Sequence, residues 1–163
     1  MNLVTVLHAE DDSNDVLLFH HACLKAGLNL NLQVVADGDE AIAYLDGRER
    51  FGDRQQHPFP KLVLLDLKMP RVDGFEVLSW MRQEEKCRRL PVVVLSSSNH
   101  EVDVNRAYDG GANSYLVKPV DFNELVEMVK ALHLYWLTFN EGPEPAGNAA
   151  IRRSKSEAGC NHG

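Results

Sequence analysis

The chain has 163 residues, with 17 Lys and Arg against 24 Asp and Glu and a formal net charge of −7. That length suits one domain able to bury a sizeable core, and the negative charge disfavours non-specific contact with nucleic acid or an anionic membrane surface. Cys23, Cys87 and Cys160 are odd in number, far apart and without metal-ligand spacing, as reduced thiols are. With no basic-then-apolar leader and no apolar run near the ~18 residues of a membrane span, the expectation is a soluble cytoplasmic protein.

The first apolar run, Leu3 to Leu7, leads into Glu10, Asp11 and Asp12, carboxylates whose repulsion calls for full hydration or a cation. Asp12 followed three places on by Asp15 has the spacing of a capping box, in which the first and fourth side chains satisfy unpaired N–H groups at a helix start. Leu32 to Val35 is the second run, followed by the cap pair Asp37 and Glu40 and a helix stripe of Ala41, Ile42 and Leu45. From Asp46 to Pro60 periodicity is absent, and Gly47, Gly52, Pro58 and Pro60 punctuate a long connection of the kind that is functional or mobile. Leu62 to Leu65 ends in Asp66, and Asp73 with Glu76 opens the next helix. Val92 to Leu95 runs into Ser96, Ser97 and Ser98, where Ser98 and Glu101 form a fourth cap pair before a stripe of Val104, Ala107, Tyr108 and Gly111. Tyr115 to Val117 precedes Lys118 and Pro119, and Asp121 with Glu124 opens the last helix. From about Asn140 the chain turns polar and rich in Gly and Pro, which reads as a disordered tail over 140–163 behind a domain over 1–139.

Five short strands alternating with five capped helices imply a doubly wound α/β fold, a parallel sheet covered by helices on both faces. In such a sheet the strand C-terminal ends share one edge, and ligands bind outside them where the strand order reverses. That edge collects Glu10 and Asp11, Asp66, Ser96 and Ser97, and Lys118. Carboxylate oxygens select a hard cation such as Mg²⁺, which keeps several waters, so Asp11 and Asp66 can ligate while Glu10 acts through water. With its charge offset, Asp66 can attack phosphorus to give an acyl phosphate. Lys118, Ser96 and the Ser97 backbone N–H can then meet the phosphoryl oxygens. Singly, each has a plainer reading: Asp12 as a helix cap, Glu10 and Asp11 as solvated loop acids, Lys118 as a surface charge, the serines as turn chemistry, Tyr115 as a strand aromatic. Convergence of four strand ends with complementary groups favours the chemical reading.

At these residues the chain resembles the receiver domains of two-component response regulators, from about Leu3 to Thr138. The resemblance rests on Glu10-Asp11, Asp66-Leu-Lys-Met-Pro70 with Asp73-Gly74, Ser96, Gly111-Ala112, and Tyr115-Leu-Val-Lys118-Pro119. It implies a flavodoxin-like sheet of strand order 2-1-3-4-5 and an Asp66 that accepts a phosphoryl group from a kinase histidine. It implies too that Mg²⁺ is held by Glu10, Asp11, Asp66 and the Lys68 backbone carbonyl, and that Lys118 pairs with the phosphate. Ser96 and Tyr115 would be the switch pair, and the bond before Pro119 would be cis. Two departures, a switch Ser where Thr is commoner and a charged Lys68 two places past the nucleophile, bear on the phosphate's lifetime.

A narrower similarity is to small stand-alone response regulators serving phytochrome-type histidine kinases. It lies in the long loop before the third strand, Met69-Pro-Arg-Val-Asp-Gly-Phe-Glu-Val-Leu78, Arg106-Ala-Tyr108, Ala112-Asn-Ser-Tyr-Leu116 and Tyr135-Trp-Leu137. The partners implied are a sensor kinase of bacteriophytochrome class, a histidine phosphotransfer protein where phosphate is relayed onward, and a second copy of the chain. Taking ~100° per helical residue, Leu125, Val129, Leu132 and Trp136 form the core stripe of the last helix, leaving Val126, Leu134 and Leu137 as a dimer surface.

Other readings share parts of this pattern. A haloacid-dehalogenase-type phosphatase carries a second acid two places past its nucleophile, where this chain has Lys68. A flavodoxin-like enzyme or cofactor binder should offer N–H and hydroxyl groups to a phosphate, which Glu10-Asp11-Asp12 would repel. A receiver-like interaction module working without phosphorylation has no use for the intact acidic set.

Overall fold

The computed structural model describes residues 3–143; most of the segment read as a tail, 144–163 with Cys160, lies outside them. Five strands, β1 (Thr5–Ala9), β2 (Asn31–Val35), β3 (Leu62–Leu65), β4 (Val92–Ser96) and β5 (Ser114–Val117), alternate with five helices. These are α1 (Ser13–Lys25), α2 (Gly38–Asp46), α3 (Gly74–Gln83), α4 (Glu101–Asp109) and α5 (Phe122–Leu132). The strands form one parallel sheet in the order β2-β1-β3-β4-β5, the doubly wound topology the sequence implies.

Successive side chains of a strand point to opposite faces, and in β1 and β3 both faces are covered. Val6, Leu62 and Leu64 pack with Phe19, Ala22 and Cys23 of α1 and Val126, Val129 and Leu132 of α5. Leu7, Ala9, Val63 and Leu65 pack on the other side with Ala41, Tyr44 and Leu45 of α2, Val77, Leu78 and Met81 of α3, and Ala107 of α4. β1 begins two residues into the apolar run and takes in His8 and Ala9, because the ladder to β2 and β3 runs on to Ala9. Burial pushes the His8 imidazole down to about 4, and its ring lies 4.6 Å from that of Phe19. Cys23 and Cys87 are buried thiols, each pushed up to about 11 by burial.

Asp12, Asp37, Asp73 and Asp121 cap their helices with side-chain oxygens. Ser98 does not. His100 occupies the start of α4 without a side-chain bond, while Ser98 is turned inward, accepting the His100 N–H at 3.3 Å and donating to Asp103 Oδ2 at 2.5 Å. Nor does the α4 stripe close, since Ala107 is its one buried residue and Tyr108 is 48% exposed.

The connection from Asp46 to Pro60 is pinned rather than loose. A 3₁₀ turn at Glu49–Phe51 buries Phe51, the Arg54 guanidinium donates to the carbonyls of Tyr44, Leu45 and His57, and the Tyr44 hydroxyl donates to that of Pro58.

Two further expectations need correcting. Val126 is only 5% exposed: it lies one turn before Val129 on the same face, so the core stripe of α5 is wider than the sequence pattern suggested. Past Leu132 the chain winds as a π-helix over His133–Phe139, whose i→i+5 turn breaks the 100° phase. Leu137 thereby packs partly against the core, whereas Leu134 stays 51% exposed. The Lys118–Pro119 bond is trans. Trans is the lower isomer for X–Pro by ~0.5–1 kcal/mol, and the Lys118 N–H keeps a bond of 2.8 Å to the Ser96 carbonyl.

Candidate functional site

The sheet order reverses between β1 and β3, and the residues just past these strands stay in the ladder. The Glu10 N–H donates to the Val35 carbonyl at 3.0 Å and the Asp66 N–H to that of Ala9 at 3.0 Å. Both carboxylates are therefore placed by backbone that cannot drift. The loop after Asp66 is clamped at its far end by Gly74, whose N–H donates to the Leu67 carbonyl at 3.0 Å.

Glu10 and Asp66 are buried and Asp11 is exposed, and one oxygen from each lies within 4.8 Å of the others. Lys118 enters from the end of β5. Its ammonium lies 2.7 Å from Glu10 Oε2, 2.9 Å from Asp15 Oδ2 and 3.6 Å from Asp66 Oδ2. Burial raises the Glu10 carboxyl to about 7, helped by the Asp66 charge and opposed by the Lys118 hydrogen bond. Burial also works against the Lys118 charge, but the bonds to Glu10 and Asp15 and the Asp66 charge outweigh it and lift the ammonium above its usual range. Three carboxylates thus face one ammonium, with Asp11 beside two of them, and the excess negative charge sits on hard oxygens. That donor set fits Mg²⁺ or Mn²⁺.

Ser96 is buried at the end of β4, where its Oγ accepts the Ser98 N–H at 3.2 Å. The half-buried Tyr115 donates its hydroxyl to the Ser98 carbonyl at 2.7 Å. Ser96 and Tyr115 therefore meet at the two backbone groups of Ser98. Ser97 and Lys68 are exposed at the rim, and the Lys68 N–H approaches Asp66 Oδ1 at 3.4 Å.

Residues 6–130 match the family model described as the response regulator receiver domain. The chain belongs to that family. Response regulator Rcp1, 33% identical with a TM-score of 0.76 over 86% of this chain and 99% of that one, has been solved in a Mn²⁺-bound form. Among solved structures, response regulator RPA3017 in red light signalling of R. palustris is 40% identical, with a TM-score of 0.83 over 87% of this chain and 99% of that one. The phosphorylated cyanobacterial phytochrome response regulator RcpA is 32% identical, with a TM-score of 0.80 over 88% and 100%. Among curated proteins, the probable methanogenesis regulatory protein FilR2 of Methanothrix harundinacea is 39% identical over 86% of this chain and 88% of its own. Phytochrome response regulators are therefore among the receiver's homologues.

Two residues of the site escape a reading of the sequence. Asp15 has the spacing of a capping acid, and only the fold brings it to a lysine 103 positions away. Ser98 has the spacing of a cap, and only the fold shows that its backbone groups link Ser96 to Tyr115.

Proposed function

We propose that the protein is a phosphoacceptor of a two-component relay, taking a phosphoryl group on Asp66 from the histidine of a sensor kinase and changing its surface in response. The observation that carries this reading is the Lys118 ammonium, held by Glu10 and Asp15 and only 3.6 Å from Asp66. An ammonium beside a carboxylate nucleophile suits a reaction whose demands are positioning and charge neutralisation. Attack by an Asp66 oxygen forms the new O–P bond as the N–P bond of the donor breaks, and the histidine ring keeps that electron pair. Glu10, Asp11, Asp66 and the Lys68 carbonyl would hold Mg²⁺, which when bound supplies charge neutralisation between the carboxylates and the phosphoryl oxygens. Lys118 takes one of those oxygens. The Ser96 hydroxyl, an acceptor toward Ser98, still has its own proton to donate to another, and Ser97 lies exposed at the rim, where its backbone N–H would meet the third.

A shift of Ser96 toward the phosphoryl group would disturb its bond to Ser98, and through Ser98 the bonds to Tyr115 and Asp103 on β5 and α4. Such a chain of bonds would serve as the two-state element that switches of this kind use. The likeness to RPA3017 and RcpA supports a phytochrome-type histidine kinase as donor.

The test is intact mass after incubation with Mg²⁺ and acetyl phosphate. One base-labile phosphoryl adduct is expected on the wild type and none on Asp66→Asn. An adduct that persists on Asp66→Asn overturns the assignment.

A further inference from the structure

We infer that Asp15 is the resting counter-ion of Lys118, a positioning residue that competes with the phosphoryl group for that ammonium. The inference rests on Asp66 being the phosphoacceptor and adds a residue that sets how readily the site takes an anion.

The first observation is an exchange of partners at the start of α1. In a capping box the fourth residue reaches back to the N–H of the first. Here Asp12 accepts the N–H groups of Asn14 and Asp15, but its own N–H goes to Glu10 Oε1 at 3.1 Å. The Asp15 carboxylate is thereby released from capping and turns to Lys118, with Oδ2 at 2.9 Å from Nζ.

The second is the distribution of bonds on the ammonium. Nζ has three protons to give. Two have partners within hydrogen-bond reach, Glu10 and Asp15, and the Asp66 oxygen at 3.6 Å lies beyond it. Glu10 also belongs to the cation set, whereas the one polar contact of the Asp15 side chain among the described residues is with Lys118.

The third is room. A cavity of about 40 Å³ adjoins the lysine, lined among others by His8, Glu10, Asp15, Phe19 and Pro119, enough for a water molecule. The ammonium is thus held on its Asp15 side by charge rather than wedged by packing. A phosphoryl group on Asp66 bids for the same protons, and the Asp15 charge both retains the lysine and weakens its field toward the newcomer. Asp15→Asn keeps the shape and one carbonyl acceptor, replaces the other oxygen by NH₂ and removes the charge.

Two measurements test this. In the first, without Mg²⁺ or phosphoryl donor, the full chain is acetylated with an N-hydroxysuccinimide ester and each lysine is quantified by mass spectrometry, the other lysines serving as internal standards. Asp15→Asn should raise the Lys118 rate about three- to tenfold by removing one of the two carboxylates that hold the ammonium, and Asp15→Glu should restore the wild-type rate. An unchanged Lys118 rate overturns the inference.

In the second, beryllofluoride is titrated as a phosphoryl mimic at saturating Mg²⁺. Asp15→Asn should lower its Kd about three- to tenfold, and the gain should vanish in the Lys118→Ala background. A Kd that is unchanged or raised, or a gain that survives in Lys118→Ala, overturns the competition. A wild type that binds no beryllofluoride instead overturns the phosphoacceptor reading, and the acetylation rates still decide whether Asp15 holds Lys118.

Discussion

A Cβ added at Gly74 would lie 2.3 Å from the Asp66 carbonyl oxygen and 2.7 Å from the Leu67 Cα. Both are main-chain atoms next to a ladder bond, so neither can move aside cheaply. Gly74→Ala should cost about 1–3 kcal/mol, the range for overpacking, and slow phosphoryl uptake by displacing Asp66. Urea midpoints and adduct formation over time check both, and an unaltered midpoint would show that the loop yields. The Gly following Asp73 is visible in the sequence, but its reason is not, because the contact is with a residue on another element. Asp46 gives a pH prediction. Its bond to Lys86 holds the carboxyl below its usual range, against a smaller opposing effect of burial, with Lys86 and Arg48 charges assisting. A carboxyl depressed in the folded state contributes stability that is present above its unfolded pKa, about 3.8, and is lost as pH falls through the folded value. Asp46→Asn should therefore lose less than about 1 kcal/mol at pH 7, given the exposure of the pair, and the loss should vanish in acid. A difference that is the same at both ends of the pH range would deny the ion pair a role.

Arg82, near the end of α3, ties three elements together. Its guanidinium donates to the carbonyls of Gly111, Cys87, Arg88 and Leu90 and to Asn113 Oδ1, which in turn accepts the Val92 N–H at the start of β4. Arg82→Ala would strand several partly buried carbonyls at once and should cost about 2–4 kcal/mol. Arg82→Lys should recover little, since an ammonium cannot reproduce the planar fork. Chemical denaturation of the two variants decides, and full recovery by lysine would mean that charge, not the fork, matters. Elements differ in how far the sequence announces them for the same reason. Asp37, Asp73 and Asp121 are legible as caps because a cap acts within four residues. Arg82 and Arg54 are charged residues whose partners lie on other segments, so local pattern marks them as surface. The turns beyond α5 depart from the sequence pattern because the 100° step assumes an α-helix, and His133–Phe139 is wound more widely.

Across the whole molecule, the topology was legible because strongly apolar strands alternating with amphipathic helices leave a parallel sheet with both faces covered, and that arrangement brings the strand ends together. The outer surface was less so. Val126 belongs to the interior, and from α4 onward the exposed large apolar side chains among the described residues are instead Val102 and Tyr108 on α4, Val117 and Val120 around the end of β5, and Leu134, Tyr135 and Phe139 beyond α5. Self-association through these residues is the expected outcome. Sedimentation should give a dimer for the wild type and a monomer for Leu134→Glu/Phe139→Glu, and a wild type that stays monomeric with and without phosphoryl donor removes the expectation. The sparse anchoring of α4 has its own consequence. Its single buried residue is Ala107, its start lacks a side-chain cap, and the Arg106 guanidinium lying 3.9 Å over the Phe75 ring is an exposed tie. Such a helix is a low-stability cooperative unit that opens while the sheet stays closed. In native-state hydrogen exchange the amides of α4 should exchange by local opening almost independent of denaturant, whereas those of Leu7, Val63 and Val94 should exchange only through global unfolding. Equal protection of the two sets would mean that α4 and the sheet come apart together.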